Sequence, residues 1–162
     1  MTTRLVDQTS IVWAIEPKNW TGAASSGKVV SLKNFNHLTA IINVGAWAGG
    51  TAAVTLNQAT DVSNTGGKAL SFTKMWTNQA NTTLQYLTET AVVSNTFNLN
   101  TANQICVIEI DAASLDVTNN FDCVSVNVAT PGSNNDLYGA VYVMSGSRFP
   151  EAQSSAVDPR LD

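Results

Sequence analysis

Apolar and polar side chains alternate along most of this chain with a period of two, the signature of half-buried β-strands. Residues 11–16 put Ile11, Trp13 and Ile15 on one side, and Pro17 is expected to end that strand. Residues 28–32 read as a second strand. Residues 38–47 form a stronger one, with Leu38, Ala40, Ile42, Val44 and Ala46 on one face and Thr39, Ile41, Asn43 and Trp47 on the other. A strand partly apolar on both faces suits the middle of a sheet. Gly49-Gly50 then turns the chain into 53–59, which predicts a hairpin between the two runs.

A turn cluster at 61–67 precedes 68–76, where Leu70, Phe72, Lys74 and Trp76 share a side. Residues 77–82 turn, 83–89 return, and 90–93 and 96–99 are shorter pieces. Isoleucine, valine and cysteine fill both faces of 104–111, predicting an interior strand. One helical turn is expected within 112–120. Residues 121–129 align Val124, Val126 and Val128, and 137–144 form the last strand. Nine or ten short strands without a helical period predict an all-β fold, an antiparallel β-sandwich of jelly-roll type, with an immunoglobulin-like order left open. The expected organisation is an N-terminal arm at 1–10, one sandwich domain at 11–144 and a C-terminal tail at 145–162.

Composition narrows what such a fold can do. Only 12% of the 162 residues are charged, against roughly 25% in an average domain. Fifty positions are Ser, Thr or Asn, which suits strand faces and turns. The net charge is −4, and eight basic residues spread along the chain make no phosphate-binding patch, so nucleic acid is not an expected partner. No apolar run reaches the roughly twenty residues that cross a bilayer, and no membrane partner is expected. Residues 11–15 are too short for a signal-peptide core and follow Asp7, so synthesis in a cytoplasm is expected. Cys106 and Cys123 are then expected to be reduced, buried thiols, although their strands could be neighbours.

Catalytic chemistry finds few carriers. His37 is the single histidine, and its setting, Asn-Phe-Asn-His-Leu, reads as a turn before a strand. Asp111, Asp116 and Asp122, with Asn119 and Asn120 between them, place oxygen ligands in one loop, but their spacing fits turn-making and capping better than a calcium loop. Three Cys and His residues in all are too few for a zinc site. No enzyme activity, cofactor or metal is expected. Trp13 and Trp76 are assigned to the core. Trp20 and Trp47 lie in or beside glycine-rich loops and are candidates for an interface, or for stacking on a sugar. In the tail, Arg148, Phe149 and Arg160 are candidate anchors for an arm that orders against a neighbour.

Five segments carry a resemblance. They are Asn-Val-Gly-Ala at 43–46, VTLNQATD at 54–61, KALSF at 68–72, EIDAASLDVTNNFDCV at 109–124 and SGSRFP at 145–150. With the strand 38–42 that leads into the first of them they span 38–150, and they resemble a group of small virion proteins of tailed bacteriophages. The resemblance implies a structural role in the particle. Decoration, or cementing, of the outer head shell is the implied task, with the major capsid protein and the chain itself, as a homotrimer, for partners and the capsid surface for location. A position in the neck or tail, or a carbohydrate-binding jelly-roll module resting on Trp20 and Trp47, are the competing readings. The family brings no catalytic residues.

Overall fold

The computed structural model describes residues 4–79 and 86–148 as two antiparallel sheets packed face to face. The strands are β1 (Ser10–Trp20), β2 (Ser25–Ser26), β3 (Val30–Ser31), β4 (Phe35–Val44), β5 (Ala52–Ala59) and β6 (Lys68–Ala69). They continue with β7 (Lys74–Gln79), β8 (Thr88–Ala91), β9 (Thr96–Leu99), β10 (Gln104–Asp111), β11 (Cys123–Val128) and β12 (Asp136–Ser147). The larger sheet runs β1-β12-β4-β10-β7-β8. The smaller runs β2-β11-β5-β6, with β3 also on β11 and β9 also on β5. Setting β1-β12-β4-β10 against β2/β3-β11-β5-β9 gives the pairing of a jelly roll, so the all-β sandwich expected from the sequence is present. The β7–β8 pair extends the larger sheet.

The inward faces carry the alternation that predicted them. Leu38, Ala40 and Ile42 of β4, Cys106, Ile108 and Ile110 of β10, and Tyr138, Ala140, Tyr142 and Met144 of β12 are buried. They face Val54 and Leu56 of β5 and Val124, Val126 and Val128 of β11. Each such aliphatic side chain contributes roughly 1.5–3 kcal/mol by leaving water. The two tyrosines also join the layers. The Val126 amide donates to the Tyr142 hydroxyl across 2.7 Å, and the Tyr138 and Ser25 hydroxyls lie 3.0 Å apart.

Several expectations are corrected. Pro17 does not end β1, which continues to Trp20. The register on β12 slips between Trp13 and Ile15 and again between Ile15 and Lys18, so the proline sits in an irregular stretch of an edge strand, where a missing N–H breaks no ladder. The hairpin around Gly49-Gly50 does not form. β4 belongs to the larger sheet and β5 to the smaller, so the chain crosses the sandwich there. Both glycines have positive φ, and a Cβ on Gly50 would stand 2.4 Å from the Pro131 carbonyl oxygen.

The run 68–76 is likewise two strands, one in each sheet. Leu70 and Phe72 plug the core between them, while Lys74 and Trp76 belong to the next strand. The strand expected at 28–32 shrinks to Val30–Ser31. The helical turn expected at 112–120 is two short 3-10 turns. β12 reaches Ser147, three residues into the expected tail.

Candidate interaction face

The side of the larger sheet turned away from the core carries a row of apolar residues. Direct cross-strand partners link Trp13 of β1 to Val141 of β12, Val141 to Ile41 of β4, Ile41 to Val107 of β10, and Val107 to Trp76 of β7. Each flanks a core residue along its own strand, so alternation sends all five outward. No further layer covers them among the described residues. Trp13 is 51% exposed and Ile105, two positions from Val107, is 39% exposed. Trp76, Ile41 and Val141 are half-buried, and Val107 is shielded in their midst.

The neighbouring rows shape this face. On one side Ile11 pairs with Val143, Val143 with Thr39, and Thr39 with Glu109. On the other Gly139 pairs with Asn43, and Asn43 with Ile105. At Gly139 the irregularity of β1 folds Pro17 inward, and a Cβ there would lie 2.7 Å from the Pro17 Cα. The result is a shallow groove of about 290 Å³ lined by Trp13, Pro17, Ile41, Asn43, Gly139 and Val141. Near the end of β12, the 3-10 turn Leu5–Asp7 brings Leu5, with Gln8 and Thr9, to a second groove lined by Thr39, Val143 and Ser145.

Trp13 and Trp76 were expected in the core and instead lie on the opposite surface. Alternation places both on strand faces, but neither run alone encodes which face meets the second sheet. A signal was present: β4 and β10 are apolar on both sides. That pattern predicts central or interior strands, and both do lie in the middle of the larger sheet, but one side of each faces outward instead of meeting another layer.

Trp20 and Trp47 are placed at one end of the sandwich. Trp20 is the last residue of β1, not a loop residue. Its ring stacks on Tyr138 with centroids 5.7 Å apart, and Trp47 meets the same tyrosine at 6.3 Å, so both lean partly buried on the core. The Trp47 indole donates to the Gly50 carbonyl, and Lys18 Nζ stands 4.2 Å from the Trp20 ring centroid. Beneath them the buried carboxylate of Asp136 accepts from the Ala48 amide at 2.6 Å and the Gly49 amide at 3.4 Å, which fixes the crossing loop. Arg148, at the opposite end of β12, is exposed. Its Nε donates to Asn36 Oδ1 and its amide to the Asn34 carbonyl. Phe149 and Arg160 lie outside the described residues. The structure thus separates Trp20 and Trp47 from Arg148 along the length of β12.

The candidate chemical groups disperse. His37 lies on β4 beside Asp111, its cross-strand partner, with Nδ1 2.9 Å from Asp111 Oδ1 and Nε2 4.0 Å from Glu109 Oε1. Asp116 accepts from the Lys68 ammonium and from Asn119. The Lys68 hydrogen bond foremost, then Asn119, holds its carboxyl below the usual range. The Thr65 side chain, with backbone amides of its own turn, does the same for Asp61. Asp122 accepts from the Cys123 thiol at 3.0 Å. Cys106 and Cys123 are buried on strands of different sheets. Burial pushes the Cys106 thiol up to about 12, so it stays protonated and unreactive at neutral pH.

No protein-family model matches the chain, and no curated protein matches it. Among solved structures, the crystal structure of the SPBc2 prophage-derived protein YomS is similar at 18% sequence identity and a TM-score of 0.48. The match covers 85% of this chain and 93% of that one.

Proposed function

We propose that this chain is a structural protein of a tailed-bacteriophage particle and that it decorates the outer head shell. The observation that supports this most is the face built on Trp13, Val141, Ile41, Val107 and Trp76, a broad apolar surface on a body with few charges. Soluble monomers seldom leave such a patch open unless another protein surface docks there, and a chain that meets further protein surfaces, its own copies included, suits a part of a repeating shell coat. The five segments that resemble phage virion proteins point the same way. A decoration protein needs no turnover. It needs stiffness, which a close-packed sandwich supplies, and modest contacts repeated over a symmetric shell, which add through multivalency.

The test is to incubate the purified chain with empty heads before and after expansion and to count copies per particle by densitometry against the shell protein. Saturable binding to expanded heads alone, at hundreds of copies, is the expected result. A ring-sized copy number would move the protein to the neck or tail, and no binding to either form would remove the proposal.

A further inference from the structure

The apolar row reads the same from both ends: Trp13, Val141, Ile41, Val107, Trp76. We propose that this face is a two-fold self-association surface, and that its occupant is a second copy of this chain. In a two-fold contact each patch meets itself, so residue i touches j while j touches i. An axis along β4 through Ile41 achieves this when two larger sheets stack face to face. Trp13 of each copy then lies over Trp76 of the other, Val141 over Val107, and Ile41 over Ile41.

The adjacent row supports the same axis. Asn43 is flanked by Ile105 on β10 and Gly139 on β12. Ile105 projects, and over Gly139 the chain's own Pro17 fills the outward space beside the shallow groove. The two-fold sets Ile105 of each copy against the apolar Pro17 ring of the other and places the two Asn43 amides opposite each other, where each can donate and accept. A row of side chains that matches its own reverse favours a copy of the same chain over an unrelated partner. The five residues of the row carry no charge. In the outermost row counted, the same axis sets Thr39 over Thr39 and Glu109 of each copy over Val143 of the other, so Glu109, with Asp111 and His37 beyond it, forms the polar rim of the contact on that side.

Size sets the strength. Five strands at about 4.8 Å spacing and three outward rows cover about 24 by 20 Å, or roughly 1,000 Å² in total for two copies, the lower bound for a specific interface. The association is therefore reversible and weak, not a permanent dimer. This inference does not depend on shell binding. If three-fold groups form on a particle, they use other surfaces, and the two-fold contact joins neighbouring groups.

Sedimentation velocity on the full chain, from low micromolar to millimolar concentration, should show a monomer–dimer equilibrium. Ile41→Lys should lower the association constant by about a hundredfold or more, whereas Thr55→Lys on the other sheet should leave it unchanged. Facing Cα atoms of stacked sheets stand about 10 Å apart, too far for a direct disulfide. With a short bis-maleimide, Ile41→Cys should therefore cross-link to itself, and Trp13→Cys should cross-link to Trp76→Cys in a mixture, with neither doing so alone. A chain that stays monomeric throughout overturns the proposal, as does association that survives Ile41→Lys. Dimers that form only after removal of residues 149–162 would make that segment the occupant and also overturn it. None of these results bears on head binding, which is measured separately.

Discussion

The outer faces of the two sheets differ although the inner faces are alike. The larger sheet turns Trp13, Ile41, Val107, Val141 and Trp76 outward. The smaller turns out Ala53, Thr55, Asn57 and Asn127, with Thr96 and Asn98 at its β9 margin. Small hydroxyl and amide side chains satisfy a strand face with water and gain nothing from being covered. Large aliphatic and indole side chains on the same kind of surface leave free energy unused until another surface excludes the water. One sheet is thus finished as a solvent face and the other is built to be met. The difference lies in side chains alone, because both sheets are antiparallel, twisted layers over one core.

That contrast can be broken or sharpened by substitution. The largest effects should fall on the shared core and ignore the difference between the sheets. Ile42→Ala and Leu56→Ala, both fully buried, should each lose about 2–5 kcal/mol in urea unfolding. A cost for one far outside that of the other would show that the layers are not supported equally. Next, Asp136→Ala should lose about 2–4 kcal/mol, since two amides of the loop crossing from β4 to β5 lose their acceptor in a buried setting. Chemical denaturation gives the value, and an unchanged midpoint would mean the carboxylate does not hold the crossing.

Outward substitutions should affect stability much less and separate the sheets. Ile41→Lys and Thr55→Lys should each change folding free energy by about 1 kcal/mol or less, while Ile41→Lys alone removes self-association. Equal behaviour of both in sedimentation would erase the contrast. The smallest effect concerns acid. Asp116 and Asp61 are held below their usual carboxyl values, so their contribution is full above the unfolded value near 3.8 and fades as the pH falls through the depressed folded value. Asp116→Asn should flatten the acid limb of a pH–stability curve slightly and leave neutral stability almost unchanged. A steeper limb would contradict the assignment.

Much of the fold was legible in the residues. The bounds of β9 and β10 follow from alternation, and β5, β11 and β12 differ from the reading by one to three residues. Those strands are plain because each has one face driven from water and its neighbours marked by Asn, Gly or Thr. The misreadings share a cause. The crossing at Gly49-Gly50 and the split of 68–76 depend on which sheet receives the next strand, and a local pattern of period two does not encode that. Pro17 was read as a stop because a proline costs a ladder hydrogen bond, a rule that lapses on the open edge of β1.

For the site, the residues themselves were visible and their meaning was not. Trp20 and Trp47 stood out because of glycines nearby, yet they close one end of the core on Tyr138. Trp13 and Trp76 looked like core because tryptophan on a strand is usually covered. The sequence by itself determined an all-β chain, the apolar positions and the lack of charge, because these follow from side-chain chemistry and the pleat. Only the tertiary structure decided that β1, β12, β4, β10 and β7 lie side by side, since register joins residues far apart in the chain, and it is that register which turns five scattered side chains into one continuous face.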